Sequence, residues 1–224
     1  RAPVRDPSLW QACRTITKGT WMLRIGMLGG MSWESTAQYY RLANELVRDR
    51  LGGLHSARIL LDSVDFADIE AMQSEARWDD AGRALAARAA ALELAGADLL
   101  LICTNTMHKV APAIEAAVHI PLLHIADPTA QAIREAGYTT VGLLGTRFTM
   151  EQDFYRQRLE CDHGLTVLTP NADDRALVHQ IIYEELCLGE VKPASRTTYL
   201  RIIDSLQAQG AQAIILGCTE ISLL

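Results

Sequence analysis

Two apolar runs that end in the same dipeptide constrain this chain more than any other feature. Asp98-Leu99-Leu100-Leu101-Ile102 ends in Cys103-Thr104, and Ala213-Ile214-Ile215-Leu216-Gly217 ends in Cys218-Thr219. A continuous apolar run of this length reads as a strand buried on both faces, as in parallel sheets. Open α/β sheets place their chemistry just past the carboxyl ends of such strands. The surrounding pattern also recurs. Gly26 and Gly142 lie 116 positions apart, Cys103 and Cys218 115, and the pairs Gly96-Ala97 and Gly210-Ala211 114. Three anchors in one order at nearly one offset indicate an internal duplication. A pseudo-two-fold axis then brings the two Cys loops face to face across a cleft.

The elements between the anchors alternate strand and helix. Leu23 to Leu28 reads as a strand and Gly29-Gly30-Met31-Ser32 as a tight turn. Ser35 to Arg50 carries helix-spaced Tyr39, Leu42, Ala43 and Leu46. Ile59 to Val64 is a second strand, Trp78 to Ala95 an alanine-rich helix, and the run into Cys103 a third strand. His108 to Val118 reads as a helix, Pro121 to Ile125 as a fourth strand, and Thr129 to Glu135 as a helix closed by Gly137. The pattern restarts at Thr140-Val141-Gly142-Leu143-Leu144-Gly145-Thr146. The predicted fold class is α/β: two pseudo-symmetric, Rossmann-like βαβ domains with parallel sheets and right-handed crossovers, with the active site between them. Residues 22–137 form the first domain and 138–224 the second. Residues 1–21 are expected to lie outside the fold as a leader, with Met22 a natural start before the first strand.

Composition narrows the partners. A pI near 5.5 argues against nucleic acid or an anionic membrane surface as the main partner, and no apolar stretch is long enough to cross a bilayer. The five cysteines, Cys13, Cys103, Cys161, Cys187 and Cys218, are odd in number and widely spaced, with no CxxC and no zinc-ligand cluster. That argues for free thiols, a cytoplasmic location and no metal.

A free thiol ionises at a pKa of roughly 8.5, lower beside a helix amino terminus. Thr104, Asn105 and Thr219 supply short polar groups where helices are expected to start, so each loop can hold a small carboxylate or a thiolate. Two thiols on opposite sides of one carbon suit a two-base proton transfer. A single Cys at a strand end is ordinarily a packing residue, and Cys13, Cys161 and Cys187 are read that way. The matched Cys-Thr pair is not explained by packing.

The segments Leu28-Gly29-Gly30-Met31-Ser32-Trp33-Glu34-Ser35-Thr36, Cys103-Thr104-Asn105-Thr106-Met107-His108 and Gly217-Cys218-Thr219-Glu220 resemble the aspartate/glutamate racemase family. Leu144 to Met150 and Ile182 to Leu186 fit the same pattern, so the resemblance runs from about Met22 to Leu224. It is nearest to the bacterial branch with broad or L-aspartate/glutamate preference. The resemblance implies racemisation of a small amino acid without pyridoxal phosphate or any other cofactor, in a homodimer. It makes Cys103 and Cys218 the alternating acid and base. Thr104, Asn105 and Thr106 then hold the α-carboxylate on one side and Thr219 on the other, with Gln73 and Ser32 as further substrate contacts. Glu220 either tunes Cys218 or caps the helix after it. The family continues past the equivalent of Leu224 into a helix, a strand and a final helix, so a carboxyl-terminal tail is expected to be missing here.

Other residues have plainer readings. His108 is expected to face solvent or cap a helix, and His55 and His124 lie near element ends that can border the cleft. Arg147 and Arg175 are candidate anchors for a side-chain carboxylate, although most arginines are simply solvated. Trp33, Tyr39 and Tyr40 read as core. The rival functions are a hydantoin racemase or maleate isomerase on the same two-Cys scaffold, an inactive ligand-binding relative, and a thiol redox sensor.

Overall fold

The computed structural model describes residues 22–224; the expected leader, Cys13 included, lies outside the described residues. The first half runs β1 (Arg24–Gly29), α1 (Trp33–Leu51), β2 (Arg58–Ser63), α2 (Phe66–Ser74), α3 (Trp78–Leu94) and β3 (Leu99–Ile102). A 3-10 turn (Thr106–Val110), α4 (Ala111–Ala117) and α5 (Ala126–Glu135) follow. The second half opens with β4 (Thr140–Gly145) and closes with β6 (Ala213–Gly217) and a 3-10 turn (Thr219–Leu223). Sequence periodicity does not resolve the stretch between those two strands. It folds into α6 (Arg147–Glu151), α7 (Asp153–Gln157), a π-helical turn (Arg158–Asp162) and β5 (Thr166–Leu168), then α8 (Ala172–Glu184), a 3-10 turn (Leu186–Leu188) and α9 (Pro193–Ala208).

The two sheets share one topology, β2-β1-β3 and β5-β4-β6, with every strand pair parallel. Ile25 lies opposite Leu99 in the first and Val141 opposite Ala213 in the second, so the duplicated anchors occupy equivalent places. No helix among the described residues is long and apolar enough to cross a membrane.

Packing differs between the halves. One apolar cluster from β3, α3 and α4, with Leu85, Leu100 and Ile114 fully buried, covers the inner face of the first sheet. Each such side chain contributes ~1.5–3 kcal/mol on burial. The second sheet is filled on both faces, by Val178, Ile182 and Ile202 on one and by Val141, Tyr155 and Leu159 on the other. On the outer side of the first sheet α1 leaves Trp33, Tyr40 and Leu46 exposed. The expected aromatic core cluster is therefore corrected: only Tyr39 is largely withdrawn from water, where burial and the neighbouring Cys103 and Tyr155 push its phenol pKa up.

Two further expectations change. Pro121 to Ile125 is not a fourth strand; a single parallel bridge joins Leu122 to Leu100, through Leu100 N–H to Pro121 O and Leu123 N–H to Leu100 O, both 2.9 Å. Pro121 has no N–H to extend the ladder, and the chain turns into α5 at once. The helix expected from His108 is split into a 3-10 turn and the short α4.

The turn after β1 is shaped by Gly30, whose φ of +89° and close approach to the Val64 carbonyl, 2.2 Å from where a Cβ would sit, admit no side chain. Its N–H donates to Thr36 Oγ1 at 2.8 Å, and Ser32 Oγ caps α1 by accepting from Ser35 N–H.

Candidate active site

The carboxyl ends of β1, β3, β4 and β6 meet at one cleft. It is lined by Ser32, Gln73, Thr104, Asn105, Thr106, Cys218, Thr219 and Glu220, all expected from the sequence, together with Met31, Phe66, Thr146, Ile182, Tyr183 and Cys187. Cys103 is placed differently. Its side chain is fully buried in the wall itself, immediately before the lining residues Thr104 to Thr106. Cys103 N–H donates to Leu28 O at 2.9 Å and its carbonyl accepts from Ser35 Oγ at 3.1 Å, fixing the first loop to β1 and α1.

Hydrogen bonds close the cleft from both sides. Ser32 Oγ donates to Glu220 Oε1 at 2.6 Å, Thr106 Oγ1 meets Thr146 Oγ1 at 3.1 Å, and Tyr183 OH donates to Gln73 Oε1 at 3.4 Å. Beside them, Trp78 from the first half stacks edge-on against Phe148 from the second, centroids 5.3 Å apart. The space left is about 40 Å³, far below the roughly 300 Å³ at which small-molecule sites begin. The cleft is narrowed by these contacts to a space smaller than a small-molecule site.

A larger cavity of about 350 Å³ lies on the other side of the Thr106–Val110 turn, bordered by His108, Lys109, His124, Asp153, Arg158 and Cys161. It holds none of the expected substrate contacts and neither thiol of the pair, so size alone does not locate the chemistry.

Electrostatics also departs from expectation. Neither Cys loop opens an α-helix; each leads into a five-residue 3-10 turn with no side-chain cap. Burial then dominates and pushes Cys103 up to about 12. Cys218 is raised by burial and further by Glu220, whose Oε2 lies 2.9 Å from its Sγ and also accepts from Thr219 Oγ1 at 3.0 Å. Both shifts favour the protonated thiol in the closed cleft, although the sequence also admits a loop that stabilises a thiolate.

The histidines and arginines sort themselves by contact. His108 is buried: its Nε2 accepts from Ile125 N–H at 3.2 Å, so its Nδ1 carries the proton and donates to Thr104 O at 2.8 Å. Burial lowers its pKa to about 4 and keeps it neutral. His124 packs edge-on against His108 and borders the larger cavity, while His55 is exposed. Arg175 is engaged by Glu151 Oε1 at 2.9 Å and Pro170 O at 2.7 Å, and the exposed Arg147 lies over the Phe148 ring. Neither arginine lines the cleft. Among the described residues no group of three or more His, Cys, Asp or Glu is placed to hold a metal.

Of the lining residues that the sequence reading does not name as contacts, three carry a hydroxyl or a thiol. Thr146 caps α6 just as Ser32 caps α1, each immediately after the first strand of its half, so the duplication itself contains the signal for it. Tyr183 sits on α8, whose position cannot be read from strand anchors. Cys187, taken as packing, is half-buried on the cleft wall with its pKa raised to about 12 by burial.

Comparison with known proteins matches this geometry. The family model for Asp/Glu/hydantoin racemases matches residues 28–224. A protein from Yersinia pestis provisionally described as an Asp/Glu racemase has 56% identity and a TM-score of 0.86, covering 91% of this chain and 88% of its own. An aspartate racemase homologue from Pyrococcus horikoshii has 35% identity and a TM-score of 0.76, covering 90% and 88%. A glutamate racemase from Persephonella marina is 25% identical over 138 residues, 58% of this chain and 48% of that protein, so the match spans about half of its length. Matched by the family model from β1 to its last residue and built on the same two-sheet architecture, the chain belongs to the Asp/Glu/hydantoin racemase family.

Proposed function

We propose that this chain racemises an α-amino acid without pyridoxal phosphate, using Cys103 and Cys218 as alternating base and acid. The observation that carries the reading is the pair of Cys-Thr loops at equivalent strand ends of two sheets, meeting at one cleft. Residues 22–137 and 138–224 act as the two halves that part to admit substrate. As they part, the Ser32–Glu220, Thr106–Thr146 and Gln73–Tyr183 contacts release hydroxyl and amide groups for the substrate. The hydroxyls of Thr104, Thr106 and Thr219 and the amide of Asn105 then hold the α-carboxylate, and Ser32 and Gln73 complete the contact.

Proton bookkeeping gives Glu220 its role. Cys218 Sγ already donates to Glu220 Oε2, so transfer of that proton leaves a thiolate beside the substrate ammonium, which offsets its charge. The thiolate takes the α-proton, and the electron pair moves into the carboxylate, where preorganised donors stabilise it. Cys103, protonated at the opposite face, gives its proton to the α-carbon. The inverted amino acid leaves with Cys218 again a thiol, Cys103 a thiolate and the first proton on Glu220. That proton passes through solvent to Cys103 as the cleft reopens, which restores the Glu220 carboxylate for the next ammonium. The reverse reaction starts from the Cys103 thiolate. Exposed Trp33, Tyr40 and Leu46 on α1 offer an apolar surface for the homodimer that the family resemblance implies, and the free thiols fit a cytoplasmic protein.

The test is α-proton exchange in D₂O followed by NMR, with racemisation followed by chiral chromatography and no cofactor added. Wild type is expected to exchange and invert, while Cys103→Ser and Cys218→Ser lose inversion by ~10³-fold or more. An inactive ligand-binding relative is the second reading, favoured by the sealed position of Cys103; a folded wild type that exchanges nothing overturns the racemase and leaves that relative or the maleate isomerase.

A further inference from the structure

We infer that the cleft is built for an amino acid with an uncharged side chain, its ammonium held by Glu220, rather than for aspartate or glutamate. The inference rests on the cleft being the racemase site. Among the described residues Glu220 is the one charged side chain on the wall. Its carboxylate receives hydrogen bonds from Ser32, Cys218 and Thr219, all neutral donors.

The rest of the wall is uncharged. Hydroxyls and amides of Thr104, Asn105, Thr106, Thr146 and Thr219 can take one carboxylate. The other lining residues are Met31, Phe66, Ile182 and Cys187, which offer no cation and little hydrogen bonding, and Gln73 and Tyr183, which are bonded to each other. The basic groups nearest in sequence lie elsewhere: Arg147 is exposed over the Phe148 ring, His179 accepts from Arg147 N–H, Lys109 lies over the Trp78 ring at 3.7 Å, His108 is held by Thr104 and Ile125, and Arg175 by Glu151.

A zwitterion with an uncharged side chain matches this wall charge for charge. Its ammonium meets Glu220, its carboxylate the hydroxyls and amides, and its side chain needs no counter-charge. A dicarboxylic amino acid brings a second anion into a site that is already anionic, with nothing cationic to receive it. A desolvated carboxylate without a partner is strongly disfavoured, and repulsion from Glu220 adds to that.

The experiment compares kcat/KM for L-alanine, L-serine and L-methionine with that for L-aspartate and L-glutamate on the full chain, by exchange in D₂O and by chiral analysis. The uncharged substrates are expected to lead by ~100-fold. Glu220→Gln gives a second readout, since a ratio between two substrates on one preparation does not depend on how much of it folds. Removing the anion should narrow the alanine-to-aspartate ratio by ~10-fold. Aspartate or glutamate turned over as well as alanine overturns the inference and leaves the racemase reading standing. An unchanged ratio in the variant overturns the part assigned to Glu220. No exchange with any of the five overturns both readings together.

Discussion

The two thiol loops descend from one pattern and are held in opposite ways. Cys103-Thr104-Asn105 and Cys218-Thr219-Glu220 follow equivalent strands, yet the first presents an amide where the second presents a carboxylate. The first is locked from behind: Cys103 is sealed, Ser35 binds its carbonyl, and His108 ties Thr104 to the backbone of Ile125. The second is held from the front, by Glu220 reaching across the cleft to Ser32, and its thiol is half-buried on the wall. Pseudo-symmetry of backbone therefore does not carry over to the surroundings of the two thiols. One thiol has a proton acceptor in contact; the other depends on burial and on whatever the opened cleft supplies.

That contrast breaks most visibly at Glu220. Replacing it with Gln keeps the bond to Ser32 and removes the acceptor for the Cys218 proton. Inversion is expected to fall by ~10²-fold, the range of general acid–base assistance. The enantiomer deprotonated by Cys103 should still exchange its α-proton in D₂O, while its mirror image loses exchange. Equal loss for both enantiomers would show that Glu220 serves the whole cleft and not one thiol. A single-enantiomer measurement by NMR reads this directly.

The backing of the first loop comes next. His108→Ala removes a buried side chain and leaves the Thr104 carbonyl and Ile125 N–H without their partner, an expected cost of ~2 kcal/mol in urea unfolding. Leu223, the residue at the same distance from Cys218, is exposed, and its replacement by Ala should stay within ~0.5 kcal/mol. A pH series sharpens the point. His108 is neutral in the fold, its pKa lowered from 6.5 to about 4, so its contribution is intact above about 6.5 and is lost as pH falls toward 4. His108→Ala should lack that part of the acid limb. Equal acid sensitivity in variant and wild type would assign the limb to other groups.

What the sequence disclosed follows from what repeats in it. The Cys-Thr strand ends and the 115-residue spacing between the cysteines are written in local patterns and single out Thr104, Asn105 and Thr219, while Ser32, Thr106 and Glu220 come from the family resemblance; all six lie on one cleft wall. The sealing of Cys103 is not local. It depends on α1, whose Ser35 binds the Cys103 carbonyl 68 positions further along the chain and whose Tyr39 lies near Cys103. Likewise Tyr183 and Cys187 come from α8 and the turn after it, where strand periodicity says nothing. The exposure of Trp33 and Tyr40 was hidden for the opposite reason: an apolar helix face looks the same in sequence whether or not anything covers it.

The smallest effect separates a sealed thiol from an open one. Cys103 rises from 9.0 to about 12 through burial, so in the folded chain it keeps its proton where the unfolded chain loses it. Stability from this group is complete below about pH 9 and declines as pH climbs toward 12. Near pH 9.5 the expected loss is about 1 kcal/mol, or a Tm lowered by ~2–4 °C in a chain of this size. Cys103→Ala also leaves a small cavity, which lowers Tm at every pH alike; the informative quantity is the slope between pH 7 and 9.5. That slope should flatten in Cys103→Ala and stay unchanged in Cys161→Ala, whose side chain is exposed. If both variants keep the wild-type slope, Cys103 is in contact with water in solution. The cleft would then stand open before substrate arrives, and the two loops would differ in their acids and bases but not in their access to the substrate.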